Sequence, residues 1–515
     1  MEQTQDMGTD RQNPSVVIIG AGMTGIALAI KLKLSGITHI TLLEKADSVG
    51  GTWRENTYPG VACDVPSHAY TYSFAPNPHW SSFFAPGREI RAYFQSVFDQ
   101  YDLGNLTHFN EKVTRCNYQQ EKWLVTTESG KNFSADFVFS ATGFLHQPRY
   151  PDLPGLEDFA GAKMHSARWD HSVDLKGKKI GVIGTGSSAT QMIPELINME
   201  GTDVSVFQRT AQWIVHTENK PYSEKQKQRF QQDHSRIERV KNLSLYIFEQ
   251  GTTALTSTSW FYKTLHKIFA WNAVRNLNKK VKDSELRKKL TPDYTFGCKR
   301  VVLNGAFYDA MQQPNAHLVT DKIDHISMTG IVTADGTHHD LDIIVMATGF
   351  DSTAYMRPIE LTGRDGLTIE EAWRDKMIAY RSMCIPGFPN FFLTLGPNSP
   401  VGNYSVIAIS ERQADFAISL IKEWQKGNLP TIEVKKSAFY NWYSNLKDKL
   451  RTTVWASGCQ SWYLDADGDP LTWPDSWKAW TRMMDTAAIE DFEKAAPTVI
   501  NSSSSPQESY SLAES

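Results

Sequence analysis

A glycine-rich pattern constrains this chain most, because it occurs twice in the same setting. The first copy follows an apolar run that begins at Ser15 and contains Gly20, Gly22 and Gly25. The second copy follows an apolar run that begins at Lys179. This copy consists of Gly184, Thr185, Gly186, Ser187, Ser188 and Ala189. In both copies a helical pattern and a second apolar run come next. This order predicts two βαβ units that bind dinucleotides, with the pyrophosphate at the helix N-terminus. A glycine loop that only packs a helix onto a sheet is the alternative.

The two units differ at the position expected to meet the ribose. Glu44 ends the second strand of the first unit, and a carboxylate accepts hydrogen bonds from a free ribose hydroxyl pair. The second unit has Gln208 there, followed by Arg209 and Thr210. A guanidinium attracts a 2′-phosphate that a carboxylate would repel. The first site therefore predicts FAD and the second NADPH, unless Arg209 is only a surface charge.

The order of the segments predicts how the domains are arranged. Two buried-strand runs end in Ala-Thr-Gly, at residues 141–143 and 347–349, and each should return the chain beneath a nucleotide site. We predict an α/β fold with two doubly wound Rossmann-like dinucleotide-binding domains, the NADP domain inserted into the FAD domain, and a helical insertion. The predicted boundaries are a flexible segment at 1–13, FAD-binding parts at 14–150 and 351–500, an NADP-binding domain at 151–350 and a flexible tail at 501–515. Helices at 224–245 and 260–290 are expected within the insertion, about 214–296.

Charge and cysteine content exclude several classes of protein. The 515 residues carry a formal net charge of −4 without long charge runs, which disfavours nucleic acid as a partner. The cysteine count is odd, five, with wide spacing and no CxxC, so we expect neither a disulfide framework nor structural zinc, and Cys63 is expected to serve packing. These features favour a reducing, cytoplasmic location. No apolar run is long enough to span a membrane.

The linker before the second unit narrows the chemistry. It contains Phe159, Gly161, His165, Trp169 and Asp170, and it resembles the FxGxxxHxxxW[PD] fingerprint of type I Baeyer–Villiger monooxygenases. Related flavin monooxygenases that oxidise amines and sulfides carry Tyr or Phe at the position of Trp169. The alternative is that the histidine and the tryptophan only pack the linker, and we assign His165 no acid–base role.

The resemblance extends over about residues 14–485. It implies a flavin-covering segment that contains Gly51, Thr52, Trp53, Asp64 and Tyr70, and it places Val113 among the cofactor-binding residues. Segment 297–300 is similar to the family's GxKR segment, which implies that Lys299 contacts the NADP phosphate. The resemblance also implies a control-loop region at about 455–475. Trp462 fits the tryptophan of that loop, which contacts NADP in the family, although a tryptophan of the core is the alternative. The residues after it differ from those of cycloketone enzymes.

The resemblance also implies a mechanism. NADPH reduces FAD, O2 then gives a C4a-peroxyflavin, and this species inserts one oxygen beside a ketone carbonyl to give an ester or a lactone. Arg300 matches the catalytic arginine, which stabilises negative charge on oxygen, and Asp64 matches the carboxylate that orients it. The departure after Trp462 is more similar to members that take lipophilic open-chain, aryl or bulky ketones.

Three other functions stay open at this point. An N- or S-oxygenating flavin monooxygenase shares every nucleotide motif. A flavin disulfide reductase needs a CxxC-type pair, which the chain lacks. A non-catalytic nucleotide sensor would have no use for Lys299 and Arg300. The expected partners are a small-molecule ketone and O2, and the expected assembly is a monomer or a weak homo-oligomer.

Overall fold

The computed structural model describes residues 11–459, 461 and 463–494. The strands are β1 Val16–Ile19, β2 Ile40–Leu43, β3 Thr107–His108, β4 Val113–Gln119, β5 Lys122–Thr127, β6 Asn132–Ala135, β7 Phe137–Ser140, β8 Ala162–His165, β9 Lys179–Ile183, β10 Asp203–Phe207, β11 Ile214–Val215, β12 Val302–Leu303, β13 Ala316–Val319, β14 Ile323–Ser327, β15 Gly330–Thr333, β16 His338–Asp340, β17 Ile343–Met346, β18 Glu360–Thr362 and β19 Phe391–Leu393. The helices are α1 Met23–Leu34, α2 Thr52–Glu55, α3 Gly87–Gln100, α4 Ser187–Ile197, α5 Glu224–Gln232, α6 His234–Thr256, α7 Trp260–Lys280, α8 Ser284–Lys289, α9 Phe307–Ala310, α10 Ile369–Ala372, α11 Val406–Gln425, α12 Lys436–Leu450 and α13 Trp477–Met484.

Two parallel five-stranded sheets form the framework. The first has the strand order β19-β7-β1-β2-β3 and the second the order β13-β10-β9-β17-β8. The central strands β1, β7, β9 and β17 are short runs of buried, mostly apolar residues, as expected for parallel strands covered on both faces. Strand β19 joins the first sheet after the whole second sheet has been completed. The fold is therefore α/β, with one sheet domain inserted into the other.

Smaller sheets and helices cover this framework. Strands β18-β4-β5-β6 form a mixed sheet, and β14-β15-β16 form an antiparallel one. Helix α1 packs on α11 against the first sheet, and α4 packs against the second. No helix in the described ranges combines the length and apolarity needed to cross a bilayer.

The helical insertion differs in detail from the prediction. The run predicted at 224–245 breaks at Asp233, which caps α6 by accepting a hydrogen bond from the Ser235 amide, and α6 then continues to Thr256. The run predicted at 260–290 breaks where Asp283 caps α8. In both cases a local aspartate cap interrupts a helical pattern that the apolar residues alone suggest is continuous.

Residues 11–13 contact the first sheet domain. The Arg11 guanidinium donates to the Trp424 carbonyl at 2.9 Å and stacks over the indole ring of the same residue. The side chain of Asn13 accepts a hydrogen bond from the Thr38 amide. These contacts attach residues 11–13 to the first sheet domain.

Candidate active site

The first glycine loop closes tightly beneath the N-terminus of α1. Gly20 has a φ of +105°, and a Cβ atom there would lie 2.7 Å from the Ala141 carbonyl oxygen, in the first Ala-Thr-Gly motif. A Cβ at Gly25 would lie 1.9 Å from the Gly20 oxygen, which brings helix and loop together. Gly22 is the N-cap and provides no side-chain cap, so the first amides of α1 are left for a ligand.

The carboxylate of Glu44 lies beside this loop. It is buried and accepts hydrogen bonds from the amides of Ala21 at 2.8 Å and Ala46 at 3.0 Å, and from the Arg54 guanidinium at 3.1 Å. Each carboxylate oxygen has further acceptor capacity, so a ribose can still bind. Val113 is buried at the start of β4, in the apolar cluster beneath this strand end.

The flavin-covering segment approaches the same loop. The Cα atom of Gly22 lies 3.1 Å from the position of a Cβ at Gly51, the N-cap of the short helix that contains Thr52. The Trp53 indole donates to the hydroxyl of buried Tyr70 at 3.0 Å. Together these contacts hold segment 51–70 over the N-terminus of α1.

The second glycine loop repeats the construction of the first. Gly184 has a φ of +109°, and a Cβ there would lie 2.6 Å from the oxygen of Ala347, in the second Ala-Thr-Gly motif. The Thr185 hydroxyl donates to the Thr210 carbonyl at 3.1 Å. Gly186 is the N-cap of α4 and lacks a side-chain cap, while Ala189 is buried. The first amides of α4, among them those of Ser187 and Ser188, therefore form an anion site like that of α1.

Two cations lie at the far end of this second loop. Arg209 is exposed, and its charge contributes to lowering the pKa of Lys299, together with the larger effect of burial. The Lys299 ammonium stacks over the Tyr294 ring at 4.6 Å. No carboxylate of the described residues lies within ion-pair distance of either cation, and Asp293 attracts Lys299 only from farther away. Two neighbouring cations that no carboxylate contacts directly suit a phosphate.

Arg300 lies between the sheet domains and is held from three sides. Its guanidinium donates to one Asp64 oxygen at 2.6 and 3.2 Å and to the Gly402 carbonyl at 2.8 Å. Burial opposes the charge on Arg300, but Asp64 and Tyr463 outweigh it and raise the pKa, so the guanidinium stays charged. Asp64 thus fixes a permanent cation where the domains meet.

Tyr463 is the residue of this site that the sequence did not reveal. It is buried and hydrogen-bonded to Arg300, and its ring lies against Gly402, where a Cβ would come within 2.4 Å of the hydroxyl oxygen. The only available signal was its place beside Trp462 in the predicted control loop. Trp462 itself lies outside the described residues, so its predicted contact with NADP stays a prediction.

The fingerprint residues connect the linker to the second sheet. His165 is buried, accepts from the Ala167 amide at Nδ1 and bonds the Gly349 carbonyl through Nε2 at 3.1 Å. This pairing requires the proton on Nε2, and burial lowers the pKa of the ring to about 4. His165 is therefore a neutral connection to the second Ala-Thr-Gly motif. Of the other fingerprint residues, Phe159 is buried, and a Cβ at Gly161 would lie 2.2 Å from the Asp342 oxygen. Trp169 packs on the apolar core of the second sheet, and exposed Asp170 accepts a hydrogen bond from the Ser172 amide.

The cysteines require one correction. Cys298 and Cys459 form a disulfide across 161 positions of sequence, although the cysteine count and spacing disfavoured a disulfide framework. The wide spacing concealed the pair, because the fold alone brings the Arg300 loop to the segment before Tyr463. Cys63 is buried and free, and burial raises the pKa of its thiol, which supports a packing role.

The sequence was compared with models of known families and with known proteins, and both comparisons found relatives. Residues 17–258 match the family model described as pyridine nucleotide-disulphide oxidoreductase, a range that contains both glycine loops. A monooxygenase of Mycobacterium tuberculosis, itself uncharacterised, is 43% identical over 497 residues, which cover 96% of this chain and 99% of the relative. A Baeyer–Villiger monooxygenase of Streptomyces coelicolor is 37% identical over 492 residues, 94% of each chain.

The solved structures agree with these relatives. An oxidised steroid monooxygenase bound to NADP matches with a TM-score of 0.82 and 30% identity, covering 92% of this chain and 97% of that one. The OTEMO structure in complex with FAD and NADP matches with a TM-score of 0.83 and 27% identity, covering 94% and 99%. The number of glycine loops, two, equals the number of dinucleotides in the OTEMO complex. The chain therefore belongs to the Baeyer–Villiger monooxygenases and is an NADPH-dependent FAD monooxygenase.

Proposed function

We propose that the enzyme inserts one atom of O2 beside the carbonyl of a lipophilic open-chain, aryl or bulky ketone. The products are an ester or lactone, NADP⁺ and water, with one proton consumed. The observation that carries the proposal is the fixed guanidinium of Arg300, which Asp64, the Gly402 carbonyl and Tyr463 hold between the domains. The choice of lipophilic ketones rests on the sequence after Trp462, which departs from that of cycloketone enzymes. A small recess of mixed polar and apolar lining lies beside Tyr463, with Leu395, Val401 and Leu471 in its wall.

The proposed cofactor sites follow from the two loops. We assign FAD to the first loop, with Glu44 on the ribose and segment 51–70 over the cofactor. NADPH is assigned to the second loop, with its 2′-phosphate between Arg209, Thr210 and Lys299. The bound flavin supplies electron transfer from NADPH and activation of O2.

Arg300 has an electrostatic role in this proposal. Oxygen attack on a ketone carbonyl develops negative charge on the carbonyl oxygen, and a guanidinium fixed in advance stabilises that charge without reorganisation. Asp64 keeps the guanidinium oriented, and Gly402 leaves room for the Tyr463 ring beside it. Arginine suits this position because it stays charged throughout turnover.

Product analysis tests the proposal. The holoenzyme is given NADPH, ¹⁸O2 and a linear ketone, an aryl ketone, a cycloketone and a thioether. Ester or lactone with one labelled oxygen supports the proposed reaction, and the preferred ketone identifies the substrate class. Sulfoxide without any oxygenated ketone would instead favour an S-oxygenating monooxygenase.

The Arg300→Ala variant tests the role of the guanidinium in the same assay. It should still oxidise NADPH and reduce FAD, but ester formation should fall by about 10²–10³-fold, as for loss of an oxyanion donor. Ester formation at the wild-type rate would remove Arg300 from the chemistry.

A further inference from the structure

The hairpin formed by α6 and α7 exposes an unusual number of large apolar side chains. On α7 these are Trp260, 77% exposed, Phe261, Ile268 and Trp271, 59% exposed. On α6 they are Leu243, Tyr246 and Ile247. Single exposed apolar residues are ordinary on a protein surface, but contiguous groups mark an interaction site. We call this set of seven side chains the hairpin patch.

The hairpin patch forms stripes along the two helices. The buried residues of α7, Ala273 and Leu277, lie on one side, and Trp260, Ile268 and Trp271 follow helical spacing on the opposite side. On α6 the exposed apolar residues fall at 243, 246 and 247, again at helical spacing. The bond from the Tyr262 hydroxyl to Gln250 sets the antiparallel register of the hairpin. This register puts Leu243 level with Phe269, so the two stripes lie side by side along the same part of the hairpin.

Positive charge surrounds the hairpin patch. Residues 234–280 contain eight Lys and Arg but only two acidic residues, whereas the whole chain has a net charge of −4. Helix α7 has five basic residues, namely Lys263, Lys267, Arg275, Lys279 and Lys280, and no acidic one. Of the two acidic residues on α6, Glu249 faces inward and accepts from the Tyr404 hydroxyl and the Trp477 amide.

These features indicate one kind of partner. Tryptophan and tyrosine prefer the boundary between acyl chains and headgroups, and lysine reaches from an apolar face to anionic phosphates. A second copy of the chain fits less well, because a two-fold contact through α7 would bring ten basic side chains together without an acidic partner on that helix. We propose that the hairpin patch docks the enzyme on the surface of an anionic lipid bilayer.

The hairpin is adjacent to the Arg300 site, which gives the proposed docking a consequence. A Cβ at Gly297, three residues before Arg300, would lie 2.3 Å from the Leu255 side chain at the end of α6. Helix α6 also contacts the turn Val454–Ala456, close to Cys459 and Tyr463. Docking therefore holds the bilayer near the proposed ketone site, although the docking itself does not depend on which reaction the enzyme catalyses.

Vesicle co-sedimentation tests this proposal with the holoenzyme. We expect binding to phosphatidylcholine vesicles that contain phosphatidylglycerol, and at least tenfold weaker binding to phosphatidylcholine alone. The double variant Lys263→Gln/Lys267→Gln should lower the partition coefficient about thirtyfold. Each basic residue near an anionic surface contributes about 1 kcal/mol of binding free energy, and two such losses correspond to that factor. Trp260→Ser/Trp271→Ser should also release the enzyme.

Two comparisons make the result decisive. Tyr440→Ser removes an exposed aromatic side chain from α12, outside the hairpin, and should bind vesicles like the wild type. Every variant should keep wild-type NADPH oxidation, which shows that the fold is intact. Absence of wild-type binding to anionic vesicles, or equal binding by the hairpin variants, would overturn the proposal. So would a wild-type dimer in solution that the tryptophan variants convert to a monomer, because the patch would then be covered by a second copy.

Discussion

At the scale of single residues, the proposed chemistry rests on the hydrogen bonds that Arg300 makes. Asp64 supplies the opposite charge, while Tyr463 supplies a neutral hydroxyl from a segment far along the chain. The two partners should therefore affect different properties. Loss of Asp64 would leave a partly buried cation without its counter-charge, which lowers the free energy of unfolding. Loss of the tyrosine hydroxyl should only disturb the aim of the guanidinium.

Tyr463→Phe isolates that second effect. A hydrogen bond to a charged group is worth about 1.5–3 kcal/mol, so ester formation should fall about tenfold or more while flavin reduction by NADPH is unchanged. More of the NADPH should then yield peroxide. Rapid-mixing absorbance and product yield measure the two steps separately, with Tyr440→Phe as an exposed control. A slower flavin reduction would place Tyr463 in the NADPH site instead.

Arg209 provides a second test at this scale. If it binds the 2′-phosphate, Arg209→Ala should weaken NADPH by about 10–100-fold, the worth of one charge-assisted hydrogen bond, and leave NADH almost unchanged. Steady-state KM values for both nucleotides measure this. Lys299 stays positive in the variant, so some preference for NADPH should remain. Equal losses for the two nucleotides would show that Arg209 serves only the fold.

The strand–loop–helix element has two kinds of glycine, and they should respond differently to substitution. Gly184→Ala places a Cβ against the Ala347 carbonyl at a positive φ, so the apparent melting temperature should fall by several degrees. A Cβ at Gly186 has open space around it and an ordinary φ. Gly186→Ala should therefore fold normally. Its methyl group would enter the open space that we assign to the pyrophosphate, so the variant should bind NADPH at least tenfold more weakly. Thermal unfolding and nucleotide titration separate the two outcomes, and a destabilised Gly186→Ala would contradict the assignment.

His68 connects two elements and should make their contact sensitive to pH. Its buried ring packs on Phe230 of α5 and on Tyr222, with no hydrogen-bond partner among the described residues. Burial lowers its pKa from 6.5 to about 4. The unfolded chain therefore binds more protons between these values, and the free energy of unfolding falls as the pH drops through that window.

The size of this effect can be measured with one variant. At pH 5 the loss should be about 1–2 kcal/mol relative to pH 7, and His68→Phe should remove that part of it. Urea unfolding at both pH values gives the difference, with His79→Gln as an exposed histidine control. An unchanged pH dependence in His68→Phe would exclude this histidine as its source.

Across the whole molecule, the sequence predicted the features that a short segment determines by itself. Gly20, Gly184 and the two Ala-Thr-Gly motifs were recognisable because each loop needs its neighbours within a few positions. Tyr463 and the disulfide from Cys298 to Cys459 were not, because they depend on distant segments that only the assembled fold brings together. The break at Asp233 was missed for the opposite reason, since a single capping side chain outweighed a continuous helical pattern.

The contact between the flavin-covering segment and α4 joins the two halves of the enzyme. The Gln191 side chain accepts from the Tyr58 hydroxyl at 2.9 Å and donates to the Ala62 carbonyl at 3.0 Å. At Gly60 a Cβ would lie 2.6 Å from the Gln191 carbonyl oxygen, so the backbones also meet closely. Gln191 is therefore suited to fix the distance between the two glycine loops.

Gln191→Ala should test whether that distance limits turnover. Hydride transfer depends steeply on the placement of the reacting atoms, and a displacement of 1 Å can cost about 10²-fold. We expect the rate of flavin reduction at saturating NADPH to fall at least tenfold while the Kd of NADPH changes little. Stopped-flow reduction across NADPH concentrations gives both values. Asn198→Ala, at the exposed end of the same helix, is the control. An equal loss of NADPH affinity would mean instead that Gln191 supports the nucleotide loop itself.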